Sequence, residues 1–231
     1  MTIGNPPRPR GAATPPEEGN IRSLKRGIIK FMKLIFATHN EGKIKEMKKI
    51  LAGTPWEILS AEEAGVLEDP EETGITFAEN ALLKAKFVAD IKYEWTVADD
   101  SGLCVEALGG APGVFSARWA GAEATGEEKA EKVLRELANI SAINRNAYFE
   151  SSLALIAPSG EHWIFTGQAH GTIATEKREK FARPHLPYDA IFIPDGFDKT
   201  FGEMTDEEKN ALSHRGEAFR KLKEFLLSDK F

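Results

Sequence analysis

The chain has 231 residues, with 30 Lys or Arg against 36 Asp or Glu, so its formal net charge at pH 7 is −6. An acidic chain is a poor candidate for coating nucleic acid, because neutralising phosphates needs a broadly basic surface. The single cysteine, Cys104, excludes a disulfide framework and a cysteine-rich zinc site. It fits a reducing compartment, so we expect a cytoplasmic protein without a nucleic-acid partner.

The first 31 residues differ from the rest of the chain in composition. They contain six Lys or Arg and two Glu, so they carry a charge of +4 and residues 32–231 carry −10. The Pro- and Arg-rich tract 6–11 cannot bury enough apolar surface to offset the entropy of ordering it. We therefore predict that residues 1–31 are a disordered or non-native extension and that residues 32–231 form the working domain. No run approaches the roughly 18–20 apolar residues that cross a bilayer, so no membrane association is expected.

The first predicted elements are a buried strand, a polar loop and a helix. Residues 34–37 form a continuous apolar run, typical of a strand covered on both faces. Apolar residues then recur at helical spacing, at Ile44, Met47, Ile50 and Leu51. Gly53 is placed to end this helix. The loop 38–43 offers backbone N–H groups at the positive end of the helix dipole, which suits an anion, and Lys43 adds a positive charge. The alternative is an ordinary turn capped by Asn40, since the P-loop spacing is absent.

A second helix is predicted to begin at Thr76, because Glu79 completes a capping box three residues later. Its apolar face consists of Ala81, Ala85, Val88 and Ala89. A polar stripe runs along another side of this helix, where polar residues recur every four positions, at Thr76, Asn80 and Lys84. The acidic loop 68–74 before this helix is, by itself, typical of a solvated surface loop.

Two aspartates follow the next predicted strand, residues 95–98. This strand would deliver Asp99 and Asp100 to the edge of the sheet, with residues 103–105 continuing in extended form. Carboxylates on a rigid strand end are the ligands that Mg²⁺ uses when it also binds phosphates. The alternative is a turn, which Asp-Asp-Ser-Gly also favours.

The second half of the chain predicts a helix, a hairpin and a last helical region. Residues 130–137 have an amphipathic helical pattern. In residues 149–155 larger side chains alternate with polar or smaller ones, which predicts a strand before a turn at 158–160. Residues 162–173 are predicted to return as its partner strand in a hairpin. A capping box at Thr205 begins the last helical region. The alternation of strands and helices, followed by a hairpin, predicts an α/β fold with a long mixed sheet flanked by helices.

Five motifs, in this order, resemble the non-canonical purine nucleoside triphosphate pyrophosphatases, also called the inosine triphosphatase or XTP/dITP diphosphatase family. They are Thr38-x-Asn40-x-x-Lys43 and the segments 71–85, 98–103, 108–118 and 213–215. The resemblance extends from about Met32 to Phe225. It implies a two-lobed homodimeric α/β protein with a central cleft. It also implies hydrolysis of ITP, dITP and XTP to the monophosphate and pyrophosphate with Mg²⁺ as cofactor.

The resemblance also implies roles for individual residues. The phosphates would be held by Thr38, His39, Asn40, Glu41, Gly42 and Lys43, together with Lys84. Glu72 and Asp100 would hold Mg²⁺, and Asp100 would accept the proton of the attacking water. Other substrate contacts would come from Ser101, Lys209, His214 and Arg215, the last three closing on the nucleotide and its base.

One loop departs from the family pattern. The family's purine-binding loop ends in Phe-Gly-Tyr-Asp-Pro, and the corresponding substrate-binding residues here are Leu186, Pro187, Tyr188 and Asp189. A leucine cannot provide aromatic stacking, and a proline lacks a backbone donor. Phe181 or His185 could substitute for the missing ring, or the segment could contain a local sequence error. Two other functions therefore stay open: a related pyrophosphatase with altered base specificity, and a nucleotide-binding protein without hydrolytic activity.

Overall fold

The computed structural model describes residues 32–180, 183 and 185–228, so the prediction for residues 1–31 lies outside the described residues. The described part contains the strands β1 (Met32–Phe36), β2 (Trp56–Ser60), β3 (Thr96–Val105), β4 (Asn146–Ile156), β5 (His162–Ile173) and β6 (Phe192–Pro194). Its α-helices are α1 (Glu41–Ile50), α2 (Phe77–Lys92), α3 (Gly126–Glu136), α4 (Asp206–Leu212) and α5 (His214–Leu226). No helix in this part of the chain is long and apolar enough to cross a membrane.

The strands form one mixed sheet in the order β2-β1-β3-β4-β5-β6. β1 is parallel to β2 and β3, and the pairs from β3 to β6 are antiparallel. The predicted mixed α/β sheet is therefore confirmed. β2 and β6, the two edge strands, are absent from the sequence prediction, because five and three residues are too short for a clear periodicity.

The position predicted for the two aspartates is wrong. β3 does not end before Asp99 but continues through Val105, and its pairing with β4 runs through both aspartates. The antiparallel partner overrides the turn preference of Asp-Asp-Ser-Gly. β1 ends at Phe36, which is opposite Val97. Beyond that point β3 extends past its parallel neighbour, so the aspartates lie in a central strand next to the loop that follows β1.

The helix N-termini follow the predicted capping signals, whereas the end predicted for α1 at Gly53 is too late. Thr76 caps α2 and Thr205 caps α4, each with a complete capping box. Asn40 caps α1, which ends at Ile50 with Leu51 as its C-cap, two residues before Gly53. A single residue, Ser213, separates α4 from α5 and caps the second helix through its side chain.

The helices cover both faces of the sheet. α2 packs on one face through Ala81 and Ala85, and α1 and α5 pack on the other through residues such as Met47 and Phe219. A separate cluster surrounds Phe149, the far end of β3 and α3. Along β3, the two aspartates lie between the residues of these clusters.

Candidate active site

A cavity of about 570 Å³ opens beside the end of β1. Its lining combines residues 37–40 and Lys43, residues 69–72 of the acidic loop, Lys84 of α2, Asp99 of β3 and Arg118. The fold therefore brings together three features that are separate in the sequence: the polar loop, the acidic loop and the end of the polar stripe on α2.

The polar loop is fixed by its own side chains. Thr38 Oγ1 accepts a hydrogen bond from the backbone N–H of Asn40 at 3.2 Å, and Asn40 Oδ1 accepts one from Lys43 at 3.2 Å. His39 Nε2 lies 3.5 Å from Asp69 Oδ1 of the acidic loop. Asn40 is thus the N-cap of α1, as in an ordinary strand-to-helix turn. The first-turn N–H groups of α1, including those of Glu41 and Gly42, are nevertheless the kind of donors that bind anions.

Asp99 is completely buried and lies between two cations. Lys43 Nζ is 2.6 Å from Asp99 Oδ2, Arg215 Nε is 3.6 Å from the same oxygen, and the Ser151 hydroxyl donates to Oδ1 at 2.6 Å. Burial alone would raise the pKa of Asp99, but Lys43 and Arg215 outweigh it and hold that pKa far below its ordinary value. Asp99 is therefore a permanent anion at neutral pH.

Asp100 belongs to a second chain of ion pairs. Lys84 Nζ lies 2.8 Å from Asp100 Oδ1 and 3.1 Å from Glu72 Oε1, and Arg118 Nη1 lies 2.9 Å from Glu72 Oε2. Burial raises the pKa of Asp100, although Lys84 opposes that shift. For Glu72, burial is outweighed by Lys84 and Arg118, which lower its pKa. Two carboxylates thus share one lysine.

The residues predicted to hold Mg²⁺ fit that ion by the chemistry of their donors. The second oxygen of Asp100, Oδ2, is buried and has no hydrogen-bond partner in the described structure. Within residues 32–180, 183 and 185–228, no cluster of three or more His, Cys, Asp or Glu side chains could hold a metal. Two carboxylates suffice for Mg²⁺, which takes its remaining ligands from phosphates and water.

A second polar group lies where α4 meets α5. Lys209 Nζ forms a buried ion pair with Asp189. The His214 ring stacks on Phe149 with centroids 4.7 Å apart, and burial lowers its pKa well below the ordinary value, so it is neutral at pH 7. Arg215 connects this group to β3, because its Nη2 donates to Ser101 Oγ at 3.2 Å.

The atypical loop contributes differently from the polar groups. Tyr188 is buried in the cluster around Phe149, and its hydroxyl donates to the backbone carbonyl of Ser116 at 2.7 Å. Leu186 and Pro187 are partly buried, and neither belongs to the cavity lining found among the described residues. His185 is exposed, and Phe181 lies outside the described residues.

Three site residues have no role predicted from the sequence: Glu46, Arg118 and Ser151. Arg118 stands in one of the family-like motifs, but its partner Glu72 is 46 positions away, so the contact leaves no local signal. Ser151 and Asp99 are 52 positions apart. Glu46 lies 3.5 Å from Arg215. In the sequence it is one of several charged residues on the first predicted helix, so nothing marks it as a site residue.

The chain is similar to known proteins over most of its length. A sequence model of the Ham1 family matches residues 34–225. A dITP/XTP pyrophosphatase of Bacillus subtilis is 44% identical over 199 residues, which cover 86% of this chain and 99% of that protein. A dITP/XTP pyrophosphatase of Streptomyces coelicolor is 45% identical over 192 residues, covering 82% and 94%. The solved structure of a HAM1 protein from Coxiella burnetii matches with a TM-score of 0.78 and 38% identity, covering 84% of this chain and 98% of that one.

Proposed function

Because the chain belongs to the Ham1 family, we propose that it hydrolyses the non-canonical purine nucleotides dITP, XTP and ITP to the monophosphate and pyrophosphate. The observation that carries the proposal is one cavity in which Lys43, Lys84 and Arg118 meet Glu72 beside Asp100. Such a set of cations and metal-binding carboxylates suits phosphoryl chemistry, which depends mainly on positioning and charge neutralisation.

The charges around the cavity support a metal-bound triphosphate as the substrate. Each cation is paired with a carboxylate: Lys43 with Asp99, Lys84 with Asp100 and Glu72, and Arg118 with Glu72. A bare triphosphate would meet these carboxylates as well as the cations, so repulsion would offset much of the attraction. Glu72 and Asp100 would hold Mg²⁺. When bound, that ion would neutralise charge on the phosphate oxygens and help to orient them.

Asp100 is the proposed acceptor of the proton from the attacking water. Its Oδ2 is buried and has no hydrogen-bond partner, so this oxygen is available to accept a proton from a water molecule. Lys84, at 2.8 Å, orients the carboxylate through Oδ1.

Base selection is assigned to the group at the junction of α4 and α5. Lys209 and Arg215 are hydrogen-bond donors, and neutral His214 has an unpartnered Nδ1. Deaminated purines carry a carbonyl oxygen where adenine carries an amino group. A site of buried donors should therefore discriminate against ATP, which would leave donors unpaired.

The testing experiment measures pyrophosphate release from dITP, ITP, XTP, GTP and ATP, with Mg²⁺ and with EDTA. We expect Mg²⁺-dependent turnover of the three deaminated nucleotides at a kcat/KM at least tenfold above that of ATP. Failure to hydrolyse ITP would refute the proposed activity. Equal turnover of ATP would refute the proposed preference for deaminated purines.

A second candidate has the same chemistry but another base preference, and the residues at the atypical loop favour it. Leu186 and Pro187 stand where the family pattern has Phe and Gly, so these two positions offer no ring to stack on a purine. Preferred turnover of a modified pyrimidine triphosphate in the same assay would support it. Tight ITP binding by calorimetry without any product would instead indicate a nucleotide-binding protein without hydrolytic activity.

We also propose a homodimer in the cytoplasm, as the family resemblance implies. Light scattering coupled to gel filtration should give about twice the monomer mass of 25.5 kDa. A monomer mass at micromolar concentration would contradict the dimer.

A further inference from the structure

Arg118 lines the same cavity as Lys43 and Lys84, at the point where the acidic loop approaches β3. Its Nη1 lies 2.9 Å from Glu72 Oε2, and the guanidinium carbon lies 5.0 Å from the centroid of the Phe115 ring. The side chain is 39% exposed. A guanidinium has five N–H donors, so pairing with one carboxylate oxygen leaves donors available to a second anion.

The backbone of Arg118 is held firmly beside the predicted catalytic strand. Arg118 is the last residue of the short 3₁₀ helix Gly113–Arg118. Ser116 in that helix accepts a hydrogen bond from the backbone N–H of Leu103 and, through its carbonyl, one from the Tyr188 hydroxyl. A Cβ at Gly102 would overlap both Ser116 and the Gly113 carbonyl, so glycine permits this close packing. A long side chain on a fixed backbone can exchange partners without refolding.

Glu72 serves two cations in the free protein. Its carboxylate contacts Lys84 through one oxygen and Arg118 through the other. If Glu72 turns to a divalent cation, as the proposed function requires, its oxygens can no longer serve both side chains fully. The donors released next to the cavity then suit phosphate oxygens, which guanidinium groups bind through paired hydrogen bonds.

We propose that Arg118 is a substrate-binding residue for the phosphate chain, paired with Glu72 in the free protein and with phosphate oxygens in the complex. The inference rests on the proposed function and adds a residue to it. It has two consequences of opposite sign. Removing the guanidinium weakens binding of a triphosphate, and it strengthens binding of a divalent cation to the nucleotide-free protein, because Glu72 loses a competing cation. A merely structural residue would weaken both.

The experiment compares wild type with Arg118→Ala and Arg118→Lys. Calorimetry with α,β-imido ITP in the presence of Mg²⁺ measures triphosphate binding. Electron paramagnetic resonance with Mn²⁺ alone measures binding of the cation to the nucleotide-free protein. For Arg118→Ala we expect about 10- to 100-fold weaker triphosphate binding, as for a lost charge-assisted hydrogen bond. We expect Mn²⁺ to bind more tightly by roughly threefold or more. Both affinities of Arg118→Lys should lie between those of wild type and Arg118→Ala, since lysine keeps the positive charge but lacks the paired N–H donors of the guanidinium.

Arg135→Ala is the matched control, because it removes the same charge from an exposed position on α3. It should leave both affinities unchanged. Wild-type triphosphate affinity in Arg118→Ala would overturn the inference, and so would a loss of both affinities with a lowered Tm. Because both readouts measure binding, they decide the role of Arg118 even if pyrophosphate release from ITP fails and refutes the proposed function.

Discussion

Asp99 and Asp100 are neighbours in the chain but have opposite electrostatic environments. Consecutive residues of a strand point to opposite faces of the sheet, so each aspartate meets its own lysine: Asp99 meets Lys43, and Asp100 meets Lys84. The two pKa values move apart, down for Asp99 and up for Asp100. Carboxylates whose pKa values are separated in this way commonly divide their roles. Asp99 is suited to hold cations in place, and Asp100 to exchange a proton.

Asp100→Asn tests the second role. The amide keeps the shape of the side chain but cannot accept a proton, so turnover of ITP should fall by about 10²- to 10⁴-fold. The Tm should change little, because a buried carboxylate with a raised pKa contributes little stability at neutral pH. Asp90→Asn, an exposed position on α2, is the matched control and should leave kcat unchanged. Normal turnover in Asp100→Asn would rule out this proton acceptor.

Asp99→Asn tests the first role through stability. The substitution leaves Lys43 and Arg215 buried beside a neutral group, so we expect unfolding to become easier by about 3–5 kcal/mol at pH 7. The folded pKa of Asp99 is depressed, so its contribution is complete above the unfolded pKa of about 3.9 and is lost as the pH falls through the folded value. In urea titrations, the gap between wild type and variant should therefore narrow below about pH 4. A gap independent of pH would contradict the assignment.

At the scale of elements, local signals predict what local interactions decide. The capping boxes at Thr76 and Thr205 give helix starts correctly, because side chain and backbone partners are three residues apart. The extent of β3 is decided by β4, some 50 positions further along the chain, so the turn-like Asp-Asp-Ser-Gly composition misleads. The same limit applies to the site. The residue types that suit phosphates and Mg²⁺ can be read from the sequence, whereas the Arg118–Glu72 and Ser151–Asp99 contacts depend on the tertiary fold.

The N-terminus of α1 has a structural role and a proposed role in phosphate binding, and three variants separate them. Asn40→Ala removes the cap and should cost about 0.5–2 kcal/mol of unfolding free energy, together with weaker triphosphate binding. Thr125→Ala removes the equivalent cap of α3, away from the cavity, and should cost similar stability without affecting binding. Asn40→Asp restores a good cap but adds a negative charge beside Lys43.

Asn40→Asp should therefore keep wild-type stability in urea titrations and still bind the triphosphate more weakly, by roughly tenfold, in calorimetry. If Asn40→Asp binds as tightly as wild type, the residue is only a helix cap. If Thr125→Ala also loses binding, the effect of Asn40→Ala is a general loss of stability.

At the scale of the whole molecule, the acidity of residues 32–231 is compatible with the proposed binding of a triphosphate, because the site's cations are grouped in one cavity. Within that cavity, carboxylates neutralise the cations until a ligand arrives. Negative charge elsewhere opposes the approach of a free triphosphate over a Debye length of about 8 Å at physiological salt. Binding should thus depend on a divalent cation as a property of the entire charge distribution, including the carboxylates that no phosphate touches.

Thermal unfolding with α,β-methylene ITP measures this dependence without turnover. At a concentration of 100 times Kd in the presence of Mg²⁺, the ligand should stabilise the fold by about 2.7 kcal/mol, which corresponds to roughly 5–10 °C in Tm for a chain of this size. The same ligand with EDTA should produce little or no shift, and so should Mg²⁺ alone at low millimolar concentration. Asp100→Asn should lose most of the metal-dependent shift, because it removes one of the two proposed carboxylate ligands, whereas Asp90→Asn should retain it. Equal stabilisation by the analogue in Mg²⁺ and in EDTA would show that the cations bind the phosphates unaided, and Glu72 and Asp100 would then need another role.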